Sequence, residues 1–410
     1  MDLSSLLRIN RNHGEIKEIF PVEYPREESA FVIMKKYFET VPFMAFSISI
    51  WKHMGMILEP RFTKPRRYFY MFINMFQNVF QFAYLFHTKE LDKLILNGYF
   101  TFLFLNAIIR AIIIINSRHK MEKFMEKVGH LYDIMVNSKD EYISNMVKET
   151  GIRAHRFSVL NFCLSLTTGT CFLIYPVFAG MIDLPYGIHV PGIEYMKSPL
   201  YEILYIYEIL VTAPGASLYI PFSNLFTSFC MFAVVLVKIL KHKINNLKRP
   251  NDTEESITQK LHNALEYHKV LIDFVEEINN IVTYICLIEL VFFVLLLCAL
   301  LFVLNIVKLL PQIIMACLYI LLIMTQLFSL YWNANELWVE SLDVAQTIYF
   351  SPWYEMSQDT KKKLLLLMLR TQRPLKITAG HIYPLTLQVF QSLLNVSYTY
   401  FTVLRRFYNK

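Results

Sequence analysis

Apolar positions along the chain gather into long blocks separated by mixed polar stretches, which is the pattern of a chain that crosses a membrane repeatedly. A helix needs about 20 mostly apolar residues to cross the hydrocarbon core. Seven windows qualify: 68–86, 91–115, 157–182, 200–240, 281–306, 309–331 and 382–404. The fourth exceeds one crossing and is expected to project past the membrane. A shorter stretch, 41–58, contains Pro42, Lys52 and His53 and reads as an interfacial or re-entrant helix. The intervening segments 117–156 and 241–280 also read as helical. In the second of these, Leu261, Leu265, Val270, Leu271, Phe274, Val275 and Ile278 recur at helical spacing. Asn251-Asp-Thr-Glu-Glu supplies a turn and an acidic helix start. After the Pro352 break, Lys361-Lys-Lys-Leu-Leu-Leu-Leu predicts an amphipathic helix in a cytosolic layer that also holds Trp332, Trp338 and Trp353.

Composition agrees with this reading. Of 410 residues, 55% are hydrophobic and 18% charged, against about 45–50% and about 25% in soluble domains. The mean hydropathy is +0.37. The net charge of +7 is scattered among apolar blocks and marks cytoplasmic loops, so no nucleic-acid partner is expected. Of the 40 Lys and Arg residues, 31 fall in segments 1–67, 117–156, 241–280 and 332–381. By the positive-inside rule the N-terminus is cytosolic, and seven spans leave the C-terminus extracellular. The segment Met1 to Phe20 lacks an apolar core of signal-peptide type, so the first span is expected to direct insertion. All six cysteines lie in apolar stretches without a CxxC motif and read as small core residues.

Catalytic signatures are missing: there is no HExxH, nucleophile elbow, Walker loop or GxGxxG, and glycine is scarce at 11 residues. Neither an enzyme nor a metal or cofactor is expected. Charged groups inside the spans are few. Arg110 lies near one end of the second window, where its side chain can snorkel to the interface; Glu202, Glu208 and Glu289 are expected to serve structure more than function. The last window differs. Ser392, Asn395, Thr399, Thr402 and Arg406 recur at intervals of three, four, three and four, forming one stripe with Val396 and Val403 beside it. A polar stripe cannot face lipid cheaply, so it is either interhelical hydrogen-bonding glue or a pore wall.

The C-terminal region, SPWYEMSQDTKKKLLLLMLRTQRPLKITAG followed by LTLQVFQSLLNVSYTYFTVL, resembles that of insect odorant receptors. The matching positions are Trp353–Tyr354, Lys363 with the leucines after it, Met368, Arg370, Gln372, Pro374, Ala379–Gly380, Phe390 and Ser397-Tyr-Thr-Tyr-Phe. Chain length, number of spans and inverted orientation agree with that family. The resemblance implies an all-α membrane protein with seven transmembrane helices, an N-terminus inside, a C-terminus outside and a cytosolic helical anchor. It divides the chain into a six-helix region with the odorant pocket (1–331), an anchor segment (332–381) and a pore-lining seventh helix (382–410).

The implied function is an odorant-gated, nonselective cation channel subunit, in a heterotetramer with coreceptor subunits in the plasma membrane of an olfactory neuron dendrite. On that resemblance Val403 falls at a hydrophobic gate and Thr399 and Thr402 line the pore. Arg406 stands where coreceptors carry a neutral amide, so four copies would repel cations and a mixed assembly is expected. Helix position and the same resemblance place a volatile odorant against Phe100, Thr168, Phe172, Tyr175, Tyr205, Ile209, Thr212 and Tyr319. The competing readings are a gustatory-type channel, whose final-helix motif differs, and a G-protein-coupled receptor, which the orientation opposes. A transporter would need paired broken helices or repeat symmetry, and neither is visible in the sequence.

Overall fold

The computed structural model describes residues 40–57, 64–89, 91–179, 184–190, 192, 197–250, 252–307 and 310–408. The N-terminal 39 residues and Asn251, both read above, lie outside the described residues. The helices are α1 (Ala45–Met54), α2 (Lys64–His87), α3 (Leu91–Asn116), α4 (Arg118–Val136), α5 (Glu141–Ala179), α6 (Leu200–Asn245), α7 (Glu254–Ile306), α8 (Leu310–Phe350), α9 (Gln358–Thr371) and α10 (Leu387–Tyr408). A two-stranded antiparallel hairpin, β1 (Thr378–Ala379) and β2 (Tyr383–Pro384), precedes α10.

Five of these helices, α3, α5, α6, α7 and α8, are long and apolar enough to cross a membrane. The sequence windows in α2 and α10 fall short of that mark for a physical reason. Each carries a polar stripe along one face: Asn74, Gln77, Asn78 and Gln81 in α2, and the Ser392 to Thr402 series in α10. The final helix also begins later than the apolar window does, because the hairpin occupies 378–384.

The helix α6 is the central pillar. Its residues from Ile220 to Leu240 are buried on nearly every side, as expected for a helix apolar all round. At 46 residues it is about 69 Å long, more than twice the hydrocarbon thickness. With 53 residues in α7 and 41 in α8, three helices extend well beyond a bilayer and pack with α4 and α9 into one layer. Thr253 starts α7 by accepting the Ser256 N–H at 3.3 Å, and Ser357 starts α9 by accepting that of Thr360. Ion pairs cross this layer: Lys127 with Glu277 at 2.8 Å, Lys238 with Glu336 at 2.7 Å and Lys241 with Glu340 at 2.7 Å. His242 meets Asp140 at 2.8 Å, and that hydrogen bond holds the Asp140 carboxyl below the ordinary carboxylate range. The short α1 docks on α5 and α6 through buried Ile48, Trp51 and Met54, so residues 41–57 contribute core packing.

Three residues stand otherwise than their sequence positions suggest. Arg110 does not snorkel. It is 1% exposed and paired with Glu289 across the bundle, because α3 is packed against α6 and α7 at that level. Cys163 and Cys317 face outward rather than into the core, whereas Cys230, Cys286 and Cys298 are buried.

Candidate odorant pocket and pore helix

An aromatic cluster sits where α3, α5, α6 and α8 converge. Phe100 of α3 lies 4.1 Å from Phe172 of α5 and 4.9 Å from Tyr319 of α8, centroid to centroid, and all three are buried. Tyr175 stacks on Phe172 at 6.3 Å. Two close approaches make this convergence possible. A Cβ on Gly169 would meet Thr212 Cγ2 at 2.8 Å, and one on Gly215 would meet Phe104 Cε1 at 2.6 Å. A larger residue at either position would force Thr212 or the Phe104 ring to shift, so glycine favours this close approach of α5 and α3 to α6.

Tyr186, in the segment that follows α5, closes the cluster. Its ring lies 4.9 Å from Phe100 and 5.4 Å from Phe172. Its hydroxyl is 2.7 Å from Thr212 Oγ1, and Thr212 donates to the Glu208 carbonyl at 2.9 Å, so Tyr186 is the donor of the shared bond. The Glu208 carboxylate is fully buried and accepts the Tyr186 backbone N–H at 3.1 Å. The hydroxyl groups of Tyr99 and Tyr319 are buried without a hydrogen-bond partner among the described residues. The cluster is thus mostly rings with a few hydroxyls among them, the residue chemistry that small-molecule sites use.

Of the eight residues assigned to an odorant, the structure gathers Phe100, Phe172, Tyr175, Thr212 and Tyr319. Thr168 is buried one turn before Phe172, with its hydroxyl bound to the Leu164 carbonyl at 2.8 Å. Tyr205 lies at the rim and donates to the Leu173 carbonyl at 2.5 Å. Ile209 is not part of the cluster: it is 47% exposed, because α6 turns Glu208, Val211 and Gly215 inward instead. Sequence reasoning did not reach Tyr99, Phe104 or Tyr186. Tyr186 lies in a connecting segment, where aromatic burial is unexpected. The polar stripe on α2 was visible at helical spacing; Asn78 of that stripe donates to the Thr101 carbonyl at 2.7 Å and ties α2 to α3.

The final helix has two unlike faces. Phe390, Leu393 and Ser397 are buried against α7 and α8, with the Phe390 ring 5.7 Å from Phe328 and 5.7 Å from Tyr331. Ser392, Asn395, Val396, Thr399, Val403 and Arg406 face away from the chain, and Thr402 lies at the edge of that face. Three stripe hydroxyls donate to their own helix: Ser392 to Gln388, Thr399 to Asn395 at 2.8 Å and Thr402 to Thr399 at 2.7 Å. Each hydroxyl hydrogen is thereby occupied, and oxygen lone pairs are left to face outward. The hairpin sets this helix in place. Gly380 donates to the Thr283 carbonyl at 2.8 Å with φ of 61°, and a Cβ there would strike Leu287 at 2.9 Å, which explains the glycine in the Ala379–Gly380 motif.

Residues 90–398 match the family model of the 7tm odorant receptor. The chain belongs to the odorant receptor family. It is 38% identical to Odorant receptor 10 of Aedes albopictus, over 90% of this chain and 98% of the relative. It is 35% identical to Odorant receptor Or2 of Anopheles gambiae, over 90% of this chain and 99% of that one. Odorant receptor 30a of Drosophila melanogaster is 32% identical over 96% of this chain and 100% of its own length. The fold is that of the insect olfactory receptor OR5 from Machilis hrabei in complex with eugenol, with a TM-score of 0.78, 18% identity and coverage of 92% and 99% of the two chains. The protein is thus an all-α membrane protein of the odorant receptor family, and not an enzyme.

Proposed function

We propose that the chain is the odorant-binding subunit of an odorant-gated, nonselective cation channel that opens together with coreceptor subunits in a heterotetramer. The observation that carries this reading is the two-faced final helix. Its apolar ridge is packed on α7 and α8, whereas its hydroxyl, amide and valine stripe has no cover within the chain. A stripe serving as glue within one subunit would be buried there; a stripe that meets water and neighbouring subunits at a pore axis would be left open. Hydroxyls that donate to backbone carbonyls present their lone pairs outward, which suits passage of cations.

In this reading Val403 is the hydrophobic gate, Thr399 and Thr402 line the path and Arg406 stands at the outer mouth. The odorant lies against Phe100, Phe172, Tyr175, Thr212 and Tyr319, with Thr168 and Tyr205 at the margin. The N-terminus is cytosolic, segment 1–331 holds the pocket, 332–381 forms the anchor with the long extensions of α6 and α7, and 382–410 lines the pore. The site of action is the plasma membrane of an olfactory neuron dendrite, and the eugenol carried by the solved relative fits the class of small volatile ligand expected here.

The deciding experiment is expression with and without a coreceptor while recording odour-evoked current. Current is expected only on coexpression, because four Arg406 side chains would crowd a cation path. Large odour currents from the chain alone would overturn the mixed assembly.

A further inference from the structure

A cleft of about 420 Å³ opens between α5, α6 and α8, at the end of the bundle where these helices leave their apolar stretches. Its floor is apolar, formed by Met231, Val234 and Val235 of α6. Its rim is ionic. On the α5 side stand Glu149 and Arg153, both exposed and neither in an ion pair among the described residues. On the opposite side Lys238 and Glu336 neutralise each other at 2.7 Å.

We propose that this cleft holds one phospholipid whose headgroup carries a phosphate followed by a primary ammonium, with the phosphate on Arg153 and the ammonium on Glu149. Three observations select that occupant. The first is order. Arg153 lies four residues before the apolar stretch of α5 that begins at Phe157, and Glu149 lies one turn, about 6 Å, further out. A glycerophospholipid presents its groups in the same sequence: acyl chains, then phosphate, then ammonium. The match is independent of which side of the membrane this end faces.

The second is charge. The cleft is lined by two carboxylates and two cations, and one of each is already paired. What remains is one free guanidinium and one free carboxylate, the complement of a zwitterion. A polyanionic headgroup would find a single free cation and an unpaired Glu149 beside it. The third is the type of cation. A carboxylate accepts N–H donors in charge-assisted hydrogen bonds, which a primary ammonium offers and a quaternary one does not. Quaternary ammonium groups are held by aromatic cages, and Tyr142 is the one ring at this cleft, already stacked on His242 at 4.5 Å. Guanidinium groups pair well with phosphate oxygens.

The test uses the full chain copurified with its coreceptor from vesicles of equimolar phosphatidylethanolamine, phosphatidylcholine and phosphatidylglycerol. Retained lipid is read by native mass spectrometry, and the unfolding midpoint is followed in parallel to show that each variant is folded. The wild type is expected to retain phosphatidylethanolamine over the other two by about tenfold, the ratio that one charge-assisted contact gives. Glu149→Gln should keep phospholipid but bring the ethanolamine-to-choline ratio to about one. Arg153→Gln should lose retained phospholipid of both kinds. Equal retention of all three lipids by the wild type overturns the proposal, as does enrichment of phosphatidylglycerol. An unchanged ratio in a folded Glu149→Gln complex overturns it as well.

Discussion

Arg110 of α3 and Glu289 of α7 form an ion pair inside the helix bundle, with 1% and 11% of their side chains exposed. Arg110 also donates to the Tyr219 carbonyl at 3.0 Å and to Ser223 Oγ at 2.9 Å, and its guanidinium lies 3.9 Å from the Tyr219 ring centroid. One arginine thus joins α3, α6 and α7. Glu289 lies one turn before Phe293, whose ring meets Phe390 of the final helix at 6.1 Å. The pair therefore stands between the helices of the candidate odorant pocket and the helix proposed to line the pore.

Removing one partner leaves a charge buried without its counterion, a change that costs about 3–5 kcal/mol, whereas replacing both by apolar residues of similar size is nearly neutral. Glu289→Leu is therefore expected to lower the unfolding midpoint of the detergent-solubilised receptor strongly. The double variant Arg110→Met, Glu289→Leu should recover most of the loss. A double variant no more stable than the single one would show that the arginine's bonds to Tyr219 and Ser223, and not the ion pair, hold the three helices.

The same residues mark where sequence reading stops. Apolar blocks reveal helices directly, because burial in lipid or core selects residue type over long runs. The acidic start of α7, the amphipathic helix after Pro352 and the helicity of α4 are legible from local spacing and residue type; the Ser357 cap that starts α9 is not among those readings. Rotation of a helix about its axis is a tertiary property. Arg110 and Glu289 are far apart in sequence, and nothing local says that they meet. Ile209 stands one residue away from the inward line of α6, which runs through Glu208, Val211 and Gly215. One residue is about 100° of rotation, enough to move a side chain from pocket to outer surface. The stripe on α10 was legible because polar residues at helical spacing stand out in an apolar segment. Which way it faces came only from the packing of Phe390 and Ser397.

The orphaned hydroxyl of Tyr319 permits a clean test of the pocket. Nothing in the described residues accepts or donates to it, so Tyr319→Phe removes no hydrogen bond from the fold. Odorants bearing a carbonyl or hydroxyl are expected to lose up to about tenfold in potency, the value of one net hydrogen bond of about 0.5–1.5 kcal/mol. Hydrocarbon odorants should be unaffected. Ile209→Ala serves as the outward-facing control and should leave dose–response curves in place. A shift in all odorants with Ile209→Ala, and none with Tyr319→Phe, would place the pocket elsewhere.

Stability of the layer built by α7 and α9 should depend on pH through His268. Burial, and secondarily the Arg370 charge, lower its pKa from 6.5 to about 4. The folded form therefore disfavours the protonated ring, and the unfolded chain binds the extra proton first. The contribution is fully present above pH 6.5 and is lost progressively as pH falls from there toward 4, at up to about 1.4 kcal/mol per unit. Between pH 6.5 and 5 the loss is about 2 kcal/mol. His268→Gln should flatten this limb of the unfolding-midpoint profile. An identical acid limb in the variant would assign the effect to other groups.

Val403 offers the sharpest test of the final helix. Its side chain is 43% exposed on the face turned away from the chain, one turn beyond Thr399 and beside Thr402. A ring of such side chains closes a narrow path by excluding water, so a smaller or polar group should admit it. In the channel coexpressed with coreceptor, Val403→Ser is expected to raise resting current or alter ion selectivity. The effect should be partial, because in the proposed heterotetramer coreceptor copies supply the rest of the ring. On the proposed function the odorant binds in a separate pocket and shifts a closed–open equilibrium, so the rank order of active odorants should stay as in the wild type. Pocket substitutions should do the reverse, reordering odorants while permeability ratios hold. If Val403→Ser reorders odorants and leaves resting current and permeation untouched, the outward stripe is a packing surface for a neighbouring helix and the pore assignment fails.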